Sequence, residues 1–228
     1  MDKKLSLTTP VSRLFMVGPV YVKRLKKLGI ETIEDLFYHF PHRYKDYSLV
    51  SKIKQVQPGE TVTIQGKIKT IKNEYTKKAR RFQKAELEDE TGSIDVIWFN
   101  QPFLIRILKP GTRVNLAGKT DWFGRKIALV SPEYEILSSS KQPIHTGRLV
   151  PVYPETYGVS SKWLRSRIAP LLKNYNHLLV DWLPEKIKKK EKLQNLRQAV
   201  KTIHFPENKA ASQKAKERLA FEEMFLIH

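Results

Sequence analysis

The chain has 228 residues, with 42 Lys and Arg against 23 Asp and Glu, a formal net charge of +19. A hydrophobic content of 40%, with 10% aromatics, supplies a packed core and excludes wholesale disorder, while the absence of Cys excludes disulfides, Cys-ligated metals and thiol nucleophiles. No apolar run is long enough for a membrane span, and the polar start Met1-Asp2-Lys3-Lys4 lacks the apolar stretch of a secretion signal, so a soluble intracellular protein with a polyanionic partner is expected.

Residues 1–57 form a first segment. Val11, Leu14, Phe15, Val20, Val22, Leu25 and Leu28 recur at helical spacing, interrupted by Gly18-Pro19. Gly29 ends that pattern, and Thr32 caps a second helix carrying Ile33, Leu36, Phe37 and Phe40 before Pro41. The string resembles a helix-hairpin-helix module, whose helix-start amides face a DNA phosphate, and Lys23 and Arg24 fit that use. A small packing domain with a basic outer face fits the same residues.

Residues 58–137 alternate with period two. Val62, Ile64 and Ile68 lie on one face of a first strand, and Ala85, Leu87 and Asp89 follow on a second. After the turn Asp89-Glu90-Thr91-Gly92, Ile94, Val96 and Trp98 share one face of a third strand and Asp95, Ile97 and Phe99 the other. A short helix from Pro102 to Leu108 precedes strands around Val114–Gly118 and Ile127–Val130. Five strands with a helix between the third and fourth predict an OB-fold barrel, and with its flanking helices the chain is α+β. OB barrels bind oligonucleotides on strands 2–3 and through the loops joining strands 1–2 and 4–5.

The charges fall on those loops. Lys72–Lys84 holds six cations (Lys72, Lys77, Lys78, Arg80, Arg81, Lys84) against one acid, Glu74, with Tyr75 and Phe82 interleaved. The second loop carries Trp122, Phe123, Arg125 and Lys126. Cations beside ring faces are how unpaired strands are gripped. Lys77, Lys78, Arg80, Arg81, Arg125 and Lys126 are therefore expected at phosphates, with Tyr75, Phe82, Trp122 and Phe123 as further contacts. Trp122 or Phe123 folding back over the barrel end is the structural alternative. Alternation sends Phe99 outward, and Phe103 follows four residues on; two such rings suit either unstacked bases or a neighbouring domain.

Residues 138–228 carry 17 Lys and Arg against 8 Asp and Glu. An extended Val150–Pro154 leads to a helix capped by Ser160, then a helix near Leu193–Ile203 and a third from about Glu207. The third ends at Phe221–Ile227, apolar nearly all round, which predicts that further polypeptide covers it. Gly118-Lys119-Thr120 imitates the end of a phosphate loop, but Arg113 stands where that loop needs Gly, and the context is strand rather than helix start. His39 and His42 lack a second ligand pair for zinc, and Glu222 and Glu223 do not face a common substrate.

The run PVSRLFMVGPVYVKRLKKLGIETIEDLFYHFPHRYKDYS, the barrel strings EDETGSIDVIWFNQPF and LKPGTRVNLAGK, the linker TGRLVPVYPETYGVSSKWLR, and IHFPEN with AKERLAFEEMF together resemble the N-terminal part of the RecG family, bacterial ATP-dependent helicases acting on branched DNA. The resemblance implies a wedge that splits strands at a fork or Holliday junction in DNA repair and recombination, in the bacterial cytoplasm at the nucleoid. It also implies base stacking at the branch by two aromatics, which map to Phe99 and Phe103. The helicase motor domains have no counterpart in these residues, so no catalytic residue, metal or cofactor is expected here, and ATP and Mg would belong to the motor. A free-standing single-stranded-DNA-binding OB protein and an OB-fold tRNA-binding protein remain as alternative readings.

Overall fold

A computed structural model describes residues 5–76, 81–138 and 143–227, with side chains through 224. The chain divides into two compact units, one of Met1–Lys45 with Pro151–His228 and one of Asp46–Val150. The segments divided in the sequence at 57/58 and 137/138 thus group by contact into two units. The two terminal segments share one core, because each is amphipathic and neither can bury its apolar face alone.

The helical unit contains α1 (Pro19–Lys26), α2 (Ile33–Tyr38), α4 (Ser161–Tyr175), α5 (Glu185–Lys190), α6 (Leu196–His204) and α7 (Lys209–Ile227). Leu25, Ile33, Leu36 and Phe37 pack with Tyr153, Leu164, Ile168, Leu172 and Val200. Helix α2 starts in a capping box: the Asp35 amide donates to Thr32 Oγ1 at 3.2 Å, and the Thr32 amide donates to Asp35 Oδ2 at 2.8 Å. The Ser160 hydroxyl caps α4 by accepting from the Trp163 amide. The short strands β1 (Arg43–Asp46) and β7 (Leu149–Val152) pair as a separate two-stranded sheet.

This unit's core also contains charge. Arg218 on α7, fully buried, donates to Asp181 Oδ1 and Glu222 Oε2, each at 2.9 Å. Lys188 of α5 reaches Asp181 Oδ2 at 3.1 Å, and the Trp182 indole donates to Glu222. The expectation that α7 is apolar nearly all round at its end therefore needs correction: Glu222 is buried within an ion pair, while Met224 is exposed. His204 is buried too. Its Nε2 faces the Phe37 carbonyl at 2.9 Å, which can only accept, so Nε2 carries the proton and Nδ1 accepts from the Tyr153 hydroxyl at 2.9 Å.

The second unit is a closed five-stranded barrel. Its strands are β2 (Thr61–Tyr75), β3 (Arg81–Asp89), β4 (Gly92–Phe99), β5 (Arg113–Phe123) and β6 (Lys126–Ile136), in the order β2-β3-β4-β6-β5, with β5 returning to β2. All pairings are antiparallel except β4 with β6. The long β2 serves both partners, pairing with β5 over Thr61–Lys67 and with β3 over Lys67–Tyr75. Ile64, Ile68, Leu87, Val96, Trp98 and Leu116 fill the interior. Helix α3 (Leu104–Ile107) sets Leu104 into the same core, with Leu108 just beyond it.

One irregularity accounts for the misleading Gly-Lys-Thr string. The β5–β6 register shifts between Ala117 and Lys119, and a Cβ on Gly118 would lie 3.0 Å from Pro132 Cα. The opposite backbone needs glycine there. The Thr120 hydroxyl donates to the Gln57 carbonyl at 2.6 Å. These residues belong to the barrel seam.

Candidate nucleic-acid interface

Strand alternation carries Phe99 to the outer face of the barrel, as read from the sequence. Its ring is 41% exposed and lies 6.3 Å from that of Phe82, its register partner on β3. Phe82 is not a surface contact: it is 4% exposed and packs with Ile97, Ala128 and the half-buried Phe123, whose ring meets it edge-on at 5.6 Å. The expectation of a surface contact at Phe82 is corrected accordingly, and Phe123 takes the folded-back arrangement expected as its alternative. The outer face of β3–β4–β6 carries a small second apolar cluster, and its Phe82 ring is the one beside which Phe99 lies.

Beyond Phe99 the strand stops at Asn100, whose φ of +56° turns the chain. The Gln101 amide then donates to Gln83 Oε1 at 2.9 Å, and Gln83 Nε2 donates to Asn73 Oδ1 at 2.9 Å. Gln83 is fully buried. This side chain ties the turn to β3 and β2, and no sequence signal marks it. Phe103 caps α3, with Leu104 anchored beside it, and its ring is 48% exposed. Both rings are thus presented by elements embedded in the barrel.

Tyr75 and Arg81 face each other across the open end of the β2–β3 hairpin, both exposed. Lys77, Lys78 and Arg80 lie outside the described residues. At the β5–β6 hairpin the turn is Gly124-Arg125, with Trp122 still in strand and 60% exposed. Trp122, Arg125, Lys126 and Lys54 line an open cleft of about 590 Å³ over β3 and β4, with Lys84 and Asp95 on its floor.

The floor is already neutralised. Lys84 Nζ sits 2.8 Å from Asp95, and that hydrogen bond holds the ammonium above the usual lysine range. Glu86 lies below the usual glutamate range, chiefly through its hydrogen bond from Lys69. Arg125, Lys126 and Lys54 are exposed and make no salt bridge among the described residues, so the lip stays cationic. Lys54 was not singled out from the sequence. Its turn is tied to the barrel by the Ile53 amide, which donates to Asp89 Oδ2 at 2.9 Å.

On the helical unit Lys23 is exposed, whereas Arg24 is engaged within the protein. Its guanidinium lies 5.7 Å from the Tyr21 ring centroid and 5.4 Å from that of Tyr157. The rings supply Arg24 with cation–π partners.

Fold and surface together define an OB-type barrel with a ring-and-cation outer face, joined to a helical unit. Residues 11–174 match the family described as RecG wedge domain, and the chain belongs to that family. It is 34% identical over 232 residues to the ATP-dependent DNA helicase RecG of Thermotoga maritima, covering 99% of this chain and 29% of that protein. It is 33% identical over 221 residues to the Bacillus subtilis RecG, covering 96% and 31%. A solved structure described as RecG bound to a three-way DNA junction matches with a TM-score of 0.80 at 31% identity, over 99% of this chain and 31% of that one. The chain therefore spans about 30% of the length of the relatives it matches. Among the described residues no helix is long and apolar enough to cross a membrane.

Proposed function

We propose that this chain supplies the strand-separating wedge of a RecG-type helicase acting on forks and junctions in DNA repair and recombination. Phe99 and Phe103 cap the bases parted at the branch. Arg81, Arg125 and Lys126, with Lys77, Lys78 and Arg80 of the adjoining loop, neutralise backbone phosphates. The observation that carries this reading is the exposure of two phenyl rings on fixed mounts: Phe99 resting on Phe82, and Phe103 beside the buried Leu104. Exposed rings are costly in water and gain by stacking on a base. ATP and magnesium chemistry belongs, in this reading, to the part of the relatives' length that this chain does not span. Its cellular setting is the bacterial nucleoid.

Replacing both rings, F99A/F103A, should weaken binding to forked DNA by about 1–3 kcal/mol for each stacked base while leaving linear duplex binding nearly unchanged. Fluorescence anisotropy with fork, single-stranded, duplex and tRNA ligands reads this directly. Equal loss on fork and duplex would assign the rings a structural role. Equal affinity for fork and single strand would favour a general single-strand binder, and preference for tRNA an RNA module.

A further inference from the structure

Residues 185–192 of the helical unit read Glu-Lys-Ile-Lys-Lys-Lys-Glu-Lys, and neither the barrel nor its rings account for them. Helix α5 spans the first six. Lys186, Lys189, Lys190 and Lys192 are exposed, and among the described residues only Lys190 reaches an acid, Glu191 at 3.9 Å. Like charges three and four residues apart on a helix repel, so this arrangement works against α5 in the absence of an anion.

The lysine-bearing segment is nevertheless held firmly. Lys188 alone turns inward, 3.1 Å from Asp181 and 2.6 Å from Glu185. Asp181 holds both ends of the segment: Oδ1 accepts from the Leu183 amide at 3.2 Å, and Oδ2 from the Leu196 amide at 2.8 Å. Its Oδ1 is braced in turn by Arg218. After α5 the chain turns at Lys192, whose φ is +52°, and the Leu193 amide closes back on the Lys188 carbonyl at 2.8 Å. A hollow of about 430 Å³ lies between Glu185, Lys188, Lys189, Lys192, Leu193 and Asn195.

A merely solvated charge run needs no carboxylate at its base tied to two backbone amides, a lysine and an arginine, as Asp181 is. We infer that α5 and the turn after it form a second DNA site, distinct from the ring-bearing barrel, that takes the phosphate backbone of a duplex arm. The chemistry distinguishes the two sites. The cations of residues 185–192 are all ammonium groups, set beside Glu185 and Glu191, with neither a ring to stack on a base nor an arginine fork to read a base edge. Because Asp181 ties the backbone at both ends of the segment, its exposed lysines meet phosphates with less chain ordering to supply, and they position a duplex without reading its sequence.

The inference rests on the reading of the chain as a junction-binding element, and the test separates the two. Binding of the full chain is measured over a salt series, using one junction with long duplex arms and a second with its arms trimmed to a few base pairs. The variant K186Q/K189Q/K190Q/K192Q leaves Lys188 and Asp181 intact. On long arms it should flatten the slope of log affinity against log salt by about 0.9 for each phosphate contact removed. On trimmed arms its slope should match the parent's. F99A/F103A should do the reverse, losing preference for the branch with the long-arm slope kept. The single reversal Lys189→Glu should shift the long-arm slope in the same direction by a smaller step. An unchanged long-arm slope in both lysine variants, with the parent's circular dichroism, would overturn the inference and leave the ring-based reading standing. Equal flattening on long arms and on a single-stranded oligonucleotide would overturn it too, by showing a single-strand track. Loss of branch preference in neither variant would instead remove the reading on which it rests.

Discussion

The barrel and the helical unit treat polar groups in opposite ways. The barrel unit buries neutral polar groups, each with a partner: Gln83 meets the Gln101 amide and Asn73, and the Trp98 indole finds the Pro132 carbonyl at 2.9 Å, while its Lys, Arg, Asp and Glu side chains lie outside, where a ligand can meet them. The helical unit buries Arg218, Glu222 and Lys188 in one ion-paired network centred on the partly exposed Asp181, and His204 and Arg165 elsewhere in its interior. Burying charge is costly unless every partner is present, and such networks fix geometry more than they add stability. One unit is therefore built around its outer face and the other around a fixed internal arrangement.

Breaking the helical unit's network tests the contrast most severely. Arg218→Met leaves Glu222 without its cation and Asp181 with only Lys188, and should cost about 3–5 kcal/mol. Denaturation followed by far-ultraviolet circular dichroism checks this, and a small loss would show that water or rearrangement satisfies the acids.

Acid should act on the same unit by a second route. Burial pushes His204 down to about 4, against the opposing effect of its hydrogen bond to Phe37, with His39 adding slightly. Between that value and the ordinary 6.5 the unfolded chain takes up a proton that the folded chain refuses. This contribution is present above pH 6.5 and is lost as pH falls toward 4, by roughly 3 kcal/mol in total. His204→Asn should flatten the stability profile across that window, and a profile identical to the parent's would mean that the imidazole charges without penalty.

The smallest expected change sharpens the barrel side of the comparison. Gln83→Leu removes the acceptor of the Gln101 amide and the donor to Asn73, at about 1–2 kcal/mol. Because the Phe99–Phe103 turn hangs on that side chain, fork preference should fall more than global stability. Proportionate losses would make Gln83 a purely structural residue.

Much of the barrel was legible because strand alternation is local: Ile94, Val96 and Trp98 inward and Phe99 outward follow from period two alone. Alternation also placed Ile97 on the outer side, but not the fact that Phe82 and Ala128 bury it there, which depends on pairings across three strands. Tyr75 and Phe82 looked equivalent as rings in a basic run. Register separates them, setting Tyr75 beside exposed Arg81 and Phe82 beneath Phe99. The core shared by the two ends of the chain was hidden because Phe37 and His204 meet across 167 residues. Arg218 likewise reaches Asp181 from 37 residues away. Contacts at such separations leave no periodic trace.

The closed seam of the barrel has a mechanical consequence. Phe99 ends a strand hydrogen-bonded on both sides, and Phe103 is fastened beside Leu104 of α3, which is sunk in the barrel core. A tug on Phe99 is passed to the ladders on both sides of β4, with no free edge from which to peel.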